Sequence, residues 1–133
     1  MSNKTNPGNF FEDFHVGMII NHATPRTITQ GDVSLYTALY GNRFGIQSSD
    51  ALSQSIGLPR APIDDMLLFH MVFGKTVPDV SLNAIANLGY AAGRFHALAY
   101  PGDTIRTVSE VIGVKENSDH KTGTVYVRSV GSN

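Results

Sequence analysis

The sequence predicts an α+β domain in which an antiparallel sheet wraps a buried central helix. Three observations predict it. Residues 63–77 are apolar on nearly every side at helical spacing, long extended segments follow, and no repeat, low-complexity tract or linker divides the 133 residues. A soluble helix that is apolar all round must be enclosed. One such helix followed by consecutive antiparallel strands gives a sheet folded around it. With 41% apolar residues the chain can close one core, and residues 10–133 are expected to form a single domain.

The elements follow in order. Met1 to Asn9 is polar and is expected to be a disordered lead-in. Structure begins near Phe10 and Phe11, and Met18-Ile19-Ile20 is a short apolar strand, followed by an extended stretch from Thr24 to Thr29. Thr29 can cap a helix, with Asp32 three positions on as the acidic member of a capping box. Val33, Tyr36, Leu39 and Tyr40 recur at helical spacing until Gly41 stops the run. Asn42 to Ser49 reads as a loop, and Asp50 to Ile56 as a short helix closed by Gly57. Leu58-Pro59-Arg60-Ala61-Pro62 must be extended, because each proline disfavours helix in the residue before it.

The enclosed helix then starts with Asp64 and Asp65, where the helix dipole favours negative charge. After Pro78 the remainder is expected to be extended: strands over 84–95 and 104–115, a sharp turn at Pro101-Gly102-Asp103, a polar turn over 116–123, and an alternating strand over 124–130. One more antiparallel strand would be expected after residue 130; without it an edge is left unpaired, and the expectation is either a fragment or a partner that supplies the strand.

Composition excludes several functions. A net charge of −1, with ten basic against eleven acidic residues, offers no basic face for nucleic acid. The absence of cysteine removes disulfides, thiolate catalysis and thiolate metal sites. No apolar run approaches the roughly 18 residues of a membrane span, and the first residues lack the apolar stretch of a signal peptide. The expectation is a cytoplasmic protein with neither nucleic acid nor membrane as partner. His15, His22, His96 and His120 show no metal-ligand spacing, and His70 in its apolar helix reads as a satisfied core residue.

Five blocks in order carry a family resemblance. Phe11-Glu12-Asp13-Phe14-His15-Val16-Gly17 and Arg94-Phe95-His96-Ala97-Leu98-Ala99-Tyr100-Pro101-Gly102-Asp103-Thr104 are similar to the opening and late blocks of the MaoC-like enoyl-CoA hydratases and dehydratases, with Leu98 replacing a proline of the pattern. Residues 41–50, 60–65 and 77–84 resemble more particularly the branch that hydrates 2-methylfumaryl-CoA (mesaconyl-CoA) to β-methylmalyl-CoA. The resemblance implies a hot-dog fold, the first half of a chain with two such halves, an acyl-CoA thioester as substrate, and no metal or organic cofactor. It also implies pairing with a second hot-dog domain or a second copy, since the family's CoA site lies at that junction.

The implied chemistry adds water across a double bond conjugated to a thioester. The site must take a proton from water, return one to the α-carbon, and stabilise charge on the thioester oxygen. The family's acid–base pair is an aspartate and a histidine five residues apart, and these positions here are Asn42 and Gln47. Amides can hold a water molecule but do not titrate near neutrality. The family's oxyanion-hole glycine aligns with Asp65, between Asp64 and Met66, and the N–H groups of that first helical turn suit a thioester oxygen. Asp64 and Asp65 allow two readings: a replacement base, or carboxylates stabilised by the helix dipole, a role that needs nothing unusual. Arg43, Arg60 and Arg94 could each meet a carboxylate or a CoA phosphate or be an ordinary surface arginine, with Arg60, beside the helix start, the first choice for the acyl carboxylate.

Three functions therefore stand open. One is a hydro-lyase for 2-methylfumaryl-CoA. Another is a non-catalytic hot-dog half that packs against a catalytic partner and holds CoA, which the missing aspartate and histidine favour. The third is an acyl-CoA thioesterase using Asp64 or Asp65.

Overall fold

The computed structural model describes residues 7–23, 25–42 and 44–133. They divide into two compact units. The first draws on the described residues of Met1–Pro25, on Val72–Tyr90 and on Arg106–Ser132; the second on Arg26–Met71 and Ala91–Ile105, with Asn133.

In the first unit, strand β1 (Ile19–Asn21) and strand β4 (Gly123–Ser132) both pair antiparallel with β3 (Thr104–Glu116). Ile20 lies opposite Ser109, and Ser109 opposite Ser129. Thr107, Ser109 and Val111 alternate with exposed or half-buried residues, as one buried face of a strand requires. A register shift after Val111 bends β3 before it reaches the polar turn at 117–122. Phe14, Ile20 and Val111 form the core, with Met18, Val80 and Val125 packed against it.

Beside that core sits a polar chain. His22, 8% exposed, has Nδ1 2.7 Å from Asp79 Oδ2 and Nε2 2.7 Å from Ser109 Oγ, which is 2.7 Å from Ser129 Oγ. A carboxylate only accepts, so Nδ1 carries the hydrogen. In the neutral ring Nε2 then accepts from Ser109, and Ser109 from Ser129. Burial is tolerated because both ring nitrogens are satisfied.

The second unit holds β2 (Arg26–Thr27), paired with Ile105 and Thr104, then helices α1 (Gln30–Tyr40), α2 (Gly45–Ser48) and α3 (Asp50–Ser55). Thr29 caps α1 with the capping box its sequence predicts: Asp32 N–H donates to Thr29 Oγ1, and the Asp32 carboxylate accepts the Thr29 backbone N–H. That backbone hydrogen bond holds the Asp32 carboxyl below its ordinary range against a smaller opposing effect of burial. Gly41, at φ +70°, ends α1, and Gly57, at φ +92°, follows α3. Ile28, Pro62, Ile63, Met71, Ala99 and Ile105 are buried here. The Ile28 N–H donates to the Asp103 carbonyl, and the Gly102 N–H to the Ile28 carbonyl. These bonds clip down the Pro101-Gly102-Asp103 turn, whose Gly102 stands at φ +101°.

Helix α4 (Asp65–Thr76) begins two residues later than expected and is less enclosed than its composition predicts. Met71 and Thr76 are buried, but Leu67, Leu68, Phe69, Val72 and Phe73 are half-buried and Met66 is 47% exposed. The expected strand over 84–95 does not form, and Ile85 (86%) and Leu88 (77%) stand in solvent. Apolar patterning marks surface that burial would stabilise, but a strand exists only where a neighbour takes its N–H and C=O groups. Among the described residues no ladder does so for 84–98. Pro78 does not end helical structure either. Val77–Ser81 continues as a π-helical turn, since proline lacks the N–H that a narrower turn would use. Of the expected lead-in, Met1 to Asn6 lie outside the described residues, as does Thr24 of the extended stretch. Pro7 and Asn9 are held rather than loose, because the Asn83 amide donates to the Pro7 carbonyl and the Asn9 amide to the Asp79 carbonyl.

Replacing His22 by alanine removes a fully bonded buried ring and should cost about 2–3 kcal/mol in urea unfolding. Ser129→Ala, at the chain's exposed end, should cost less than about 1 kcal/mol in the same measurement.

Candidate functional site

Within the second unit, α1 presents Gln30, Val33, Ser34, Thr37 and Ala38 along one stripe, at the spacing of a single helix face. That stripe is one wall of a cavity of about 580 Å³. Asn42, Gln47, Ser48 and Asp50 form a second wall, and Arg60, Ala61, Pro62 and Pro101 a third.

Local folding fixes the second wall. After Gly41 turns the chain, the Asn42 Nδ2 donates to Thr37 Oγ1 (3.1 Å) and to the Gln47 carbonyl (3.0 Å). The buried Ser53 hydroxyl donates to the Ile46 carbonyl at 2.6 Å and holds α2 against α3. Both Asn42 Oδ1 and Gln47 Oε1 are buried without a hydrogen-bond donor. The amide orientation of Asn42 is not interchangeable, because turning it over would set Oδ1 against the Gln47 carbonyl oxygen. The loop therefore brings Asn42 and Gln47 together, as their positions predict, and leaves an acceptor on each.

The third wall is tied to the second. The Ala61 N–H donates to Asp50 Oδ1 at 2.8 Å. The Arg60 guanidinium donates to the Pro101 carbonyl and lies over the Tyr100 ring, 5.7 Å from its centroid. Among the described lining residues, Asp50 and Arg60 are the only ones with ionisable side chains. Asp50 has no role in the sequence reading beyond starting α3. Its position three residues after Gln47 was the available signal.

Asp64, Asp65 and Met66 do not line this cavity. Asp64 Oδ1 accepts the Met66 N–H at 2.8 Å, so that donor is already used, and Asp64 does what the helix-start reading requires. Its charge also bears on α1. Burial first, then the charge of Asp64 and its hydrogen bond with the phenol, raise the pKa of Tyr36 above the ordinary value. Asp65 is the first residue of α4 and half-buried. Arg43 lies outside the described residues. His70 is exposed, against the expectation of a core position, and packs edge-on to Phe69. The buried histidine is His22, whose partners lie 57 and 87 residues away and gave no local signal. Among the described residues no three His, Cys, Asp or Glu side chains gather as a metal site, and no helix is long and apolar enough to cross a membrane.

This chain belongs to the MaoC like domain family, which it matches over residues 13–133. It is 70% identical, over all its 133 residues, to the β-methylmalyl-CoA dehydratase of Chloroflexus aurantiacus. It is 55% identical over 130 residues, or 98% of its length, to the mesaconyl-CoA hydratase of Cereibacter sphaeroides. The chain spans about 38% of the length of each of these relatives. The crystal structure of a MaoC domain protein from Chloroflexus aurantiacus, 70% identical, superposes with a TM-score of 0.92 over 98% of this chain and 37% of that one. A Mycobacterium tuberculosis protein with a double hot-dog fold, 26% identical, superposes at 0.84 over 93% of this chain and 39% of that one. The chain has the hot-dog fold of these relatives, with four strands among its described residues.

Tyr36 supplies a spectroscopic check of this geometry. Burial and the neighbouring carboxylate both disfavour the phenolate, so ultraviolet titration should show one of the five tyrosines ionising later than the rest. Asp64→Asn should bring it partly back. Because the unfolded phenol ionises near 10 and the folded one higher, stability should be undiminished below about pH 10 and fall as pH rises beyond it.

Proposed function

We propose that this chain is the first hot-dog half of a hydro-lyase that interconverts 2-methylfumaryl-CoA and β-methylmalyl-CoA. The observation that carries this reading is a cavity whose walls bring Asn42 and Gln47, at the positions of the family's acid–base pair, together with the Asp50 carboxylate and the Arg60 guanidinium. The names of the relatives at 70% and 55% identity support the reaction class and its substrate. Arg60 suits the free carboxylate of a dicarboxylic acyl group, because a guanidinium fixed by Tyr100 and Pro101 is oriented before the substrate arrives. Addition of water to an activated double bond needs only acid–base groups and an oxyanion site, so neither metal nor organic cofactor enters the proposal. A cysteine-free chain of this composition fits the cytoplasm.

A second reading keeps the site but not the chemistry. Neither Asn42 nor Gln47 titrates near neutrality, which favours a half that holds CoA for a catalytic partner. The thioesterase reading has less support, since Asp64 serves the backbone of α4 and stands outside the cavity lining.

The chain given 2-methylfumaryl-CoA should consume the unsaturated-thioester absorbance without releasing free thiol. Thiol release would instead identify a thioesterase, and CoA binding with neither signal would identify the scaffold. Arg60→Gln should raise KM for the dicarboxylic substrate about tenfold or more and leave a monocarboxylic enoyl-CoA little affected.

A partner is proposed as well: a second hot-dog domain or a second copy. In the first unit Ile85, Leu88 and Tyr90 are exposed along a segment with no strand neighbour among the described residues, and exposed apolar side chains so close together in sequence suit a partner's surface. Sedimentation at micromolar concentration should give a dimer, and Ile85→Glu with Leu88→Glu should shift it to monomer.

A further inference from the structure

We propose that Asp50 is the acid–base group of this site, a catalytic assignment that rests on the hydratase reading above. Hydration needs a group that takes a proton from water and gives one to carbon. Asn42 and Gln47 cannot do either, and Asp64 is engaged with the Met66 N–H and Tyr36 beyond the cavity lining. Of the two ionisable side chains on the described cavity walls, Arg60 stays protonated at any working pH. Asp50 remains.

Its setting suits the task. The Ala61 N–H donates to Oδ1 and tethers an exposed carboxylate that lines the cavity. Ser49, not Asp50, caps α3, by accepting the Leu52 N–H, so the carboxylate is not needed to start the helix.

The step balances with one carboxylate. Asp50 takes a proton from water as the oxygen bonds to the β-carbon. The π pair shifts to the α-carbon and thioester oxygen, and then closes a C–H bond with the proton that Asp50 returns. The product has gained H and OH, and the carboxylate is regenerated. A single group serving both ends delivers both to the same face of the double bond.

Asp50→Asn separates this role from a structural one, because its carbonyl still accepts the Ala61 N–H but cannot carry a proton. In the unaltered chain and in this variant, hydration of 2-methylfumaryl-CoA would be followed with KM, with the pH dependence of kcat and, in deuterated water, with the face of addition. The expected result is a fall in kcat of about 100-fold or more with KM nearly unchanged. The unaltered chain should show same-face addition and an acidic limb in kcat, where Asp50 becomes protonated. That limb should be absent from the residual activity of the variant. Asp50→Glu should recover part of the rate, and thermal melts should match throughout. A variant at full rate, or one changed only in KM, overturns the assignment and leaves the hydratase reading standing. An unaltered chain that binds the thioester but does not hydrate it overturns both.

Discussion

Asn42 spends its amide nitrogen twice, on Thr37 and on the backbone carbonyl of Gln47, and the candidate site depends on that commitment. The two bonds close the loop between α1 and α2 and decide which atom of the amide faces inward. The oxygen then has no donor, and the same is true of Gln47. A buried acceptor without a partner costs about 1–3 kcal/mol, so the loop is held in this form by the two bonds that the Asn42 nitrogen donates rather than by the oxygens.

The cavity sets charge beside this loop. Among the described lining residues, one carboxylate and one guanidinium accompany hydroxyls, amides and small apolar groups. Both are anchored by backbone groups, Asp50 by the Ala61 N–H and Arg60 by the Pro101 carbonyl. Such tethers remove side-chain freedom before a ligand arrives, so less ordering remains to oppose binding. Because the two tethers run between residues 50, 60, 61 and 101, the extended Pro59–Pro62 stretch is more than a connection. Its prolines hold the backbone where both charged groups can be fixed.

What could be read from the sequence follows from how local each signal is. The Thr29 and Asp32 capping box, the Gly41 stop, the short helix before Gly57 and the Pro101-Gly102-Asp103 turn are each written within a few residues, and each forms where expected. The strand over 84–95 was written in side-chain pattern alone. Pattern marks a face that burial would stabilise and says nothing of whether a neighbour is present to pair with it. The enclosure of α4 is partial for the same reason: Met71 and Thr76 are buried, while Leu67, Leu68, Phe69, Val72 and Phe73 are half-buried. The candidate site divides likewise: resemblance to a family loop pointed to Asn42 and Gln47, which lie on one wall of the cavity, while Asp50, at no acid–base position of that loop, is seen to line the same wall only in the structure. His22 was invisible because its partners come from remote parts of the chain.

Under the proposed hydratase reading, amides at positions 42 and 47 would divide the work of the family's aspartate–histidine pair differently. An aspartate–histidine pair does two things at once: it holds water and it moves protons. Amides retain the first function and also remove two charges from a confined space, where each would shift the ionisation of the other and of any carboxylate nearby. Asp50 and Arg60 are the ionisable side chains among the described residues of the cavity lining. The substitution of both family residues together, rather than one, is consistent with a site in which binding water and moving its proton are divided between different side chains.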